Sequence, residues 1–408
     1  MKLRYIDALR GLAILGVLVV HCGQYGRNEH LPSFIQTVVL RGAYGVQLFY
    51  VVSAFTLFLT LDKGEAELKP SWFDFYMRRF FRIAPMYYLA ILYYLWQNGL
   101  GPRYWLGDAA GITPANILSN VLFIHGFNPY WITSVVPGGW SIAVEMLFYC
   151  LIPLLFINIK NVQQAFIFFL TALILRAALQ FTLNRMSVIE SERLWQDFLN
   201  LYLPSQLPVF ALGVLFYFIV KNNYKASLSP LQILVLSLIL IAEVSGIPVL
   251  PNHVLAAIGF VVLAVALSKC EFRIFVNPVS VYMGRVSYSI YLVHFAVLFW
   301  LNEYNAVDYL PVSNPVDAML NYSVRLLVLI LLSVIISSCF YYLIELRFQR
   351  IGKKLINKVK NRFAKIQPEM GSLRELSVLP ASLPGHVLEK NVIGNTSPDT
   401  SAITENGK

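Results

Sequence analysis

Ten runs of apolar residues, separated by short charged or turn-rich segments, divide most of the chain. They cover about 6–25, 43–61, 83–97, 140–158, 163–182, 203–220, 228–246, 253–268, 279–300 and 321–346. At about 1.5 Å of rise per residue, such runs suit a hydrocarbon core about 30 Å thick, so each predicts a membrane-spanning helix. An eleventh run, 114–127, is shorter and holds Asn116, Asn120 and His125. No polar linker of the kind that separates soluble domains appears before residue 345. Beyond that point the pattern changes. Residues 347–365 are basic and suit the surface of an anionic leaflet. From about 367 to 408 the chain is rich in Ser, Pro, Asn and Thr without helical period, which predicts disorder. The expected fold is all-α: a polytopic integral-membrane helical bundle over 1–346, with a basic and then disordered tail over 347–408.

The first run has a basic start, Met1–Arg4, and an apolar stretch, Leu12–Val20. Asp7 and Arg10 interrupt it and no small-residue cleavage site follows, so it reads as an uncleaved first span and not a signal peptide.

Composition sharpens the class. Hydrophobic residues make up 57% and charged residues 13%, against about a quarter charged in soluble domains. This excludes a secreted disulfide scaffold, a nucleic-acid-binding domain and a disordered protein. Cys22, Cys150, Cys270 and Cys339 have neither zinc-ligand nor redox spacing and read as small packing residues. The net charge of +10 is distributed asymmetrically. With the N-terminus inside and 114–127 entering and leaving on the outer side, inner segments hold 23 of the 32 Lys and Arg and outer segments hold five. If 114–127 crossed fully, the later basic loops and the tail would face outward, against the positive-inside rule. Ten spans, both termini in the cytoplasm and a re-entrant segment near 114–127 follow. The charge then marks topology, with the bilayer as partner and no nucleic acid.

Ionisable groups inside spans are costly, which makes them functional candidates. Arg10 and His21 lie eleven positions apart on the first span, within about 20° of one face and about 16 Å apart in rise. Asp7, one turn before Arg10, can hold its guanidinium. Glu145 is about 8 Å into the fourth span, and His294 about 9 Å from the outer end of the ninth. His21 is four or five residues from its own outer end. The expectation is one layer holding His21, Glu145 and His294, in which a His–carboxylate pair acts as general base. The same side chains would also serve a structural hydrogen-bond network, with Arg10 reaching lipid headgroups. Arg79 and Arg82, one helical turn apart, can converge on an anion, and Arg285 joins them near the inner end of the ninth span. Arg78 is explained by topology alone.

Five segments carry a resemblance to a known family: Tyr5 to His21, Gly42 to Phe55, Phe75 to Pro85, Trp140 to Tyr149, and Val286 to His294. In that order the chain resembles acyltransferase family 3, integral-membrane acyltransferases that modify cell-surface sugars. The resemblance implies acyl transfer, usually of acetyl, from cytoplasmic acetyl-CoA to a sugar hydroxyl, in bacteria at the inner (cytoplasmic) membrane. The acceptor would be a surface polysaccharide or lipid-linked glycan such as a lipopolysaccharide O-antigen. The family's arginine-and-histidine motif falls on Arg10 and His21, its Arg-x-x-Arg element on Arg79 and Arg82, and its Trp-Ser-x-x-x-Glu on Trp140, Ser141 and Glu145. The family's Ser-Gly-Phe is Ser53-Ala54-Phe55 here, which predicts a less close backbone approach at Ala54.

The resulting expectation has the CoA phosphates on Arg10, Arg79, Arg82 and Arg285, the pantetheine arm threading the bundle, and no metal. His21 takes the acceptor proton, Glu145 orients it, and Ser53 or Tyr291 stabilises the oxyanion. A transient acyl-His21 is the alternative route. A transporter or flippase of a glycolipid is the competing class, since buried Arg and His in a multi-span bundle also suit translocation. The acceptor is not legible. Outer loops 26–41, 98–139, 184–202 and 301–320 are expected to choose it, with Trp105, Tyr130, Trp131 and Tyr304 as sugar-stacking candidates beside their interfacial role.

Overall fold

The computed structural model describes the backbone of residues 3–67, 71–222, 229–242 and 250–376. Among the described residues there are α-helices and short 3-10 and π turns, and no strand. The described residues fall into two units, one within Met1–Ile356 and one from Asn357 onward.

The helices are α1 (Arg4–Cys22), α2 (Ser33–Arg41), α3 (Gly45–Glu67), α4 (Trp72–Asn98), α5 (Pro114–Val121), α6 (Gly139–Asn158) and α7 (Val162–Leu183). They continue with α8 (Glu192–Leu201), α9 (Leu203–Lys221), α10 (Pro230–Ala242), α11 (Asn252–Lys269), α12 (Pro278–Glu303), α13 (Pro315–Phe340) and α14 (Leu346–Leu376). Local sequence sets several of the starts. Ser71, Thr113, Asn161, Ser191, Asn277 and Asn314 each accept a first-turn backbone N–H through the side chain. Pro114, Pro278 and Pro315 follow three of these caps, where their missing N–H costs nothing.

Over its described residues each of the ten predicted runs falls on a helix, and residues 228 and 243–246 of the seventh run lie outside the described residues. Among the described residues, eight helical stretches are long and apolar enough to cross a membrane. The other two predicted spans lie on α4, where Arg78, Arg79, Arg82 and several tyrosines lower the hydropathy, and on α10, which has 13 residues. Much of the apolar surface faces outward. On α7, Ile174 and Phe181 are 70% and 61% exposed, and on α13 Leu327 and Ile335 are similarly open. Helices apolar on every face and bare on one side fit a lipid solvent.

Two boundaries differ from the sequence pattern, at the ends of α1 and α14, while the run 114–127 falls short of a span as its length had suggested. The run 114–127 holds α5, whose eight residues rise only about 12 Å, too little to cross. Phe123, with φ of 60°, then turns the chain into a short 3-10 turn, His125–Phe127. α1 ends at Cys22, before the predicted end at 25. α14 continues to Leu376, so the disorder expected from about 367 is corrected for 367–376. The apolar residues Ile351, Leu355, Val359 and Phe363 recur at four-residue steps, a helical period that the basic composition had obscured. The remainder of that expectation, 377–408, lies outside the described residues.

The centre of the bundle is the crossing of α1 with α12. A methyl group at Gly11 would stand 2.0 Å from the Ser280 carbonyl oxygen, and one at Gly284 would stand 1.7 Å from that of Asp7. Only glycine permits backbones this close, the small-residue packing common between membrane helices. The contacts pair Asp7 with Gly284 and His21 with His294, so the two helices run in the same direction. α3 packs on α9 in a similar way. The expected looser approach at Ala54 is compensated, because the residue facing its methyl is Gly213.

Candidate active site

Two cavities lie along the α1–α12 pair. The first is lined by Arg10 (α1), Ser53 and Thr56 (α3), Arg79 and Arg82 (α4), Glu145 and Tyr149 (α6), and Tyr288 and Tyr291 (α12). Three of the four arginines expected to bind CoA, Arg10, Arg79 and Arg82, therefore share one pocket. Arg10 donates to Asp7 Oδ1 at 3.2 Å and to Thr56 Oγ1 at 3.3 Å. The Arg79 guanidinium lies 5.8 Å from the ring centroids of Phe75 and of Tyr149, and its Nε is buried without a partner. An arginine between aromatic rings with an unpartnered Nε is suited to a planar or phosphate anion.

Glu145 belongs to this pocket. Its Oε1 accepts from Ser53 Oγ at 2.5 Å and from Tyr149 OH at 2.6 Å. Ser53, expected as an oxyanion donor, is thus spent on Glu145 in this arrangement. Arg285 lies apart from the pocket wall. Its Nε is 3.7 Å from Asp7 Oδ2, and it lines an adjoining vestibule of about 400 Å³ that also contains Arg10 and Arg82. Arg78 is an exposed side chain paired with Asp74 at 4.0 Å.

The second cavity, about 560 Å³, holds His21 and Gln24 with Asn98, Trp105, Trp140, Asp197, Asn200 and Tyr291 on its walls. His21 Nδ1 is 2.9 Å from Gln24 Oε1. An amide oxygen can only accept, so Nδ1 carries the proton and Nε2 presents a bare lone pair. The His21 ring packs on His294, with centroids 5.2 Å apart, and on Phe295, at 4.3 Å. His294 is fully buried. Its Nδ1 donates to the Ile290 carbonyl at 3.1 Å, and its Nε2 has no partner.

The expected layer of His21, Glu145 and His294 is therefore corrected. The structure joins the two histidines and puts Glu145 with the arginines. α6 begins beside Tyr291, since Gly138 accepts a hydrogen bond from Tyr291 OH at 3.0 Å. Glu145 lies six residues further along α6, and His294 three residues the other way along α12. Together these separate Glu145 from His294 by about 13 Å along the bundle. The side chain holding His21 is Gln24, not Glu145.

Tyr291 and Val46 line both cavities and form the wall between them. Tyr291 OH also accepts from Ser141 Oγ at 2.8 Å, so it has no free hydrogen for an oxyanion here. The polar residues of 114–127 brace this wall. Asn116 Oδ1 accepts from Ser134 Oγ at 2.9 Å, Tyr87 OH donates to Asn120 Oδ1 at 3.0 Å, and His125 Nε2 lies 3.2 Å from the Gly139 carbonyl. Of the four predicted sugar-stacking residues, Trp105 lines the His21 cavity, while Tyr304 lines an apolar cleft between α4, α12 and α13.

Sequence reasoning missed Gln24, Tyr149 and Glu345. The first two were findable, three residues after His21 and four after Glu145, the spacings that bring helical side chains together. Glu345 is buried in the π turn Tyr341–Glu345, accepts a hydrogen bond from Ser289 Oγ, and lines the Arg285 vestibule. Its signal was an acid at the end of an otherwise apolar span.

A family sequence model described as "Acyltransferase domain" matches residues 3–342. A Staphylococcus aureus (strain COL) protein named "Putative O-acetyltransferase" is 25% identical over 397 residues, covering 87% of this chain and 59% of its own length. A protein of the same description from Staphylococcus aureus (strain MSSA476) is 24% identical with the same coverage, so the chain spans about three-fifths of the length of these relatives. The Caenorhabditis elegans "Regulator of hypoxia-inducible factor 1" is 27% identical over 180 residues, which cover 39% of this chain and 35% of that protein. No solved structure matches the chain.

Proposed function

The chain belongs to this acyltransferase family, and we propose that it moves an acetyl group from cytoplasmic acyl-CoA to a hydroxyl of a cell-surface polysaccharide or lipid-linked sugar. The observation that carries the reading is the pair of cavities meeting at Tyr291, one rich in arginine and one holding a histidine with a bare Nε2. A CoA thioester needs the first and a hydroxyl nucleophile needs the second. In this reading ten helices span a bacterial inner membrane with both termini in the cytoplasm. The vestibule with Arg285 and the pocket with Arg10, Arg79 and Arg82 take the CoA phosphates. The arm extends past Tyr291, over the roughly 16 Å from Arg10 to His21.

The acceptor sugar enters the His21 cavity from outside, between Trp105 and Trp140. Its hydroxyl donates to His21 Nε2 and its oxygen attacks the thioester carbonyl. His21 holds the proton while the C–S bond breaks, then returns it to the departing CoA thiolate, so that ester and free thiol are the products. Glu145 balances the arginines' charge and holds Ser53 and Tyr149. It does not orient the base.

The test uses purified protein in lipid with radiolabelled acetyl-CoA, and in parallel the base-labile O-acetyl content of surface glycan in cells. His21→Ala is expected to abolish both signals at unchanged protein level. A fully active His21→Ala protein overturns the reading. So does a wild-type protein that moves glycolipid without ever consuming a thioester, which is the behaviour of a flippase.

A further inference from the structure

The turn that follows α1 is tied down from a distant helix. Arg325, on α13, is fully buried. Its Nη1 donates to the Val307 carbonyl at 2.9 Å and pairs with Asp308 Oδ1 at 3.2 Å, and its Nη2 donates to Asn28 Oδ1 at 2.7 Å. Asp308 in turn accepts the Arg27 backbone N–H, 3.1 Å from each of its oxygens. Asn28 Nδ2 closes the turn by donating to the carbonyls of Gly23 at 3.0 Å and Tyr25 at 2.8 Å. Gly26, with φ of 71°, leaves the space for this. A methyl group there would stand 1.7 Å from Arg325 Nη1.

A buried guanidinium within an apolar helix is costly, and a surface turn of six residues does not need one. What the turn carries is Gln24, and Gln24 is the side chain on His21 Nδ1. Gln24 is itself exposed, so nothing packed around it fixes its position. The turn's geometry does, and Arg325 with Asp308 holds the turn.

We propose that Arg325 is a positioning residue for His21, acting through residues 23–28 and Gln24 to keep the imidazole in its Nδ1–H form. The proposal rests on the reading of His21 as the base. With the turn held, Nε2 is bare and aimed into the cavity. With the turn loose, Gln24 leaves Nδ1, the proton redistributes between the two nitrogens, and the ring presents a usable lone pair only part of the time.

The experiment pairs a spectroscopic signature with turnover. Protein labelled with 15N-histidine is reconstituted in lipid, and the His21 ring nitrogens are assigned by difference from His21→Ala. The wild type is expected to show the Nδ1–H form alone. Gln24→Leu, an exposed and structurally mild change, and Asp308→Asn, which weakens the clamp without emptying the Arg325 site, are each expected to show a mixture. Both are expected to lower kcat for acetyl-CoA-dependent transfer roughly tenfold, the loss of one hydrogen bond, with KM for acetyl-CoA unchanged. In the double variant the second change adds little, because both act on one contact. A wild type in the Nε2–H form, variants that keep the wild-type signal, or effects that multiply independently overturn the proposal. An active His21→Ala protein instead overturns the underlying reading, whichever tautomer the spectrum shows.

Discussion

Replacing Gly284 with alanine asks whether the α1–α12 crossing sets the site. The added methyl would lie 1.7 Å from the Asp7 carbonyl oxygen, 2.6 Å from its carbonyl carbon and 3.1 Å from Gly11 N. Side-chain carbons essentially never come within 3.0 Å of such atoms, so the helices must part by about 1.3 Å or more. Every obstacle is backbone, and no rotamer change relieves it. Two terms oppose each other. Alanine favours the helix by up to about 1 kcal/mol over glycine. Overpacking costs about 1–3 kcal/mol, here at the upper end because two helices must move. The net expectation is a loss of about 1–2 kcal/mol. Activity should fall further than stability. The crossing sets where Arg10 sits against Arg285 and where His21 sits against His294, and a misplacement of about 1 Å at a reacting group costs on the order of a hundredfold. The assay is acetyl transfer to surface glycan alongside the melting temperature of purified protein. Gly101→Ala is the control, since a methyl there meets nothing within 4 Å. A Gly284→Ala protein that melts and transfers like Gly101→Ala refutes the claim that this crossing positions the site.

Three further outcomes follow from the arginine pocket and its wall. Ser53→Ala and Tyr149→Phe each remove one donor from Glu145 and should destabilise the protein by about 1.5–3 kcal/mol, read as a lowered melting temperature, with the double variant worse than either. Arg79→Gln should raise KM for acetyl-CoA by roughly tenfold or more at unchanged expression, whereas Arg78→Gln, on an exposed side chain, should leave it within twofold. Tyr291→Ala removes the wall between the two cavities and should raise acetyl-CoA hydrolysis by water while lowering transfer to glycan. Hydrolysis that falls together with transfer would show that Tyr291 is no barrier.

The helical bundle was legible because apolar period and length are one-dimensional signals, and every predicted span lies on a helix over its described residues. The grouping of Arg10, Arg79 and Arg82 was legible because Arg79 and Arg82 are one turn apart and Arg10 is near the same end of its helix. The placement of Glu145 was not. Depth was counted from span ends, and α1 ends at Cys22 while α12 extends to Glu303, so the counts for His21 and His294 both began from wrong origins. Rotation about the α6 axis was not readable either. At 100° per residue, nothing in an isolated span states which neighbour a side chain meets. The tie of Arg325 to the turn that carries Gln24 was missed for another reason. Its significance lies in a contact spanning nearly 300 residues of sequence, between Asn28 and Arg325, and no local period reports such a contact.

The α1–α12 pair explains why that contact is needed. Gly11 and His21 are ten residues apart on α1, and Gly284 and His294 are ten apart on α12. Two parallel helices locked at the glycines therefore bring the histidines level again about 15 Å later. The lock fixes the height of His21 but not the rotation of its ring. Rotation requires a hydrogen bond to one nitrogen, and His294 does not supply it, because its Nδ1 is spent on Ile290 and its Nε2 makes no hydrogen bond. The bond has to come from beyond the end of α1, where the chain is a turn and not a helix. Within the turn Tyr25 packs on the core, but Gln24 is exposed, so its geometry has to be imposed through the turn by a neighbouring element. α13 supplies that neighbour, and the buried charge of Arg325 is the means by which it reaches across.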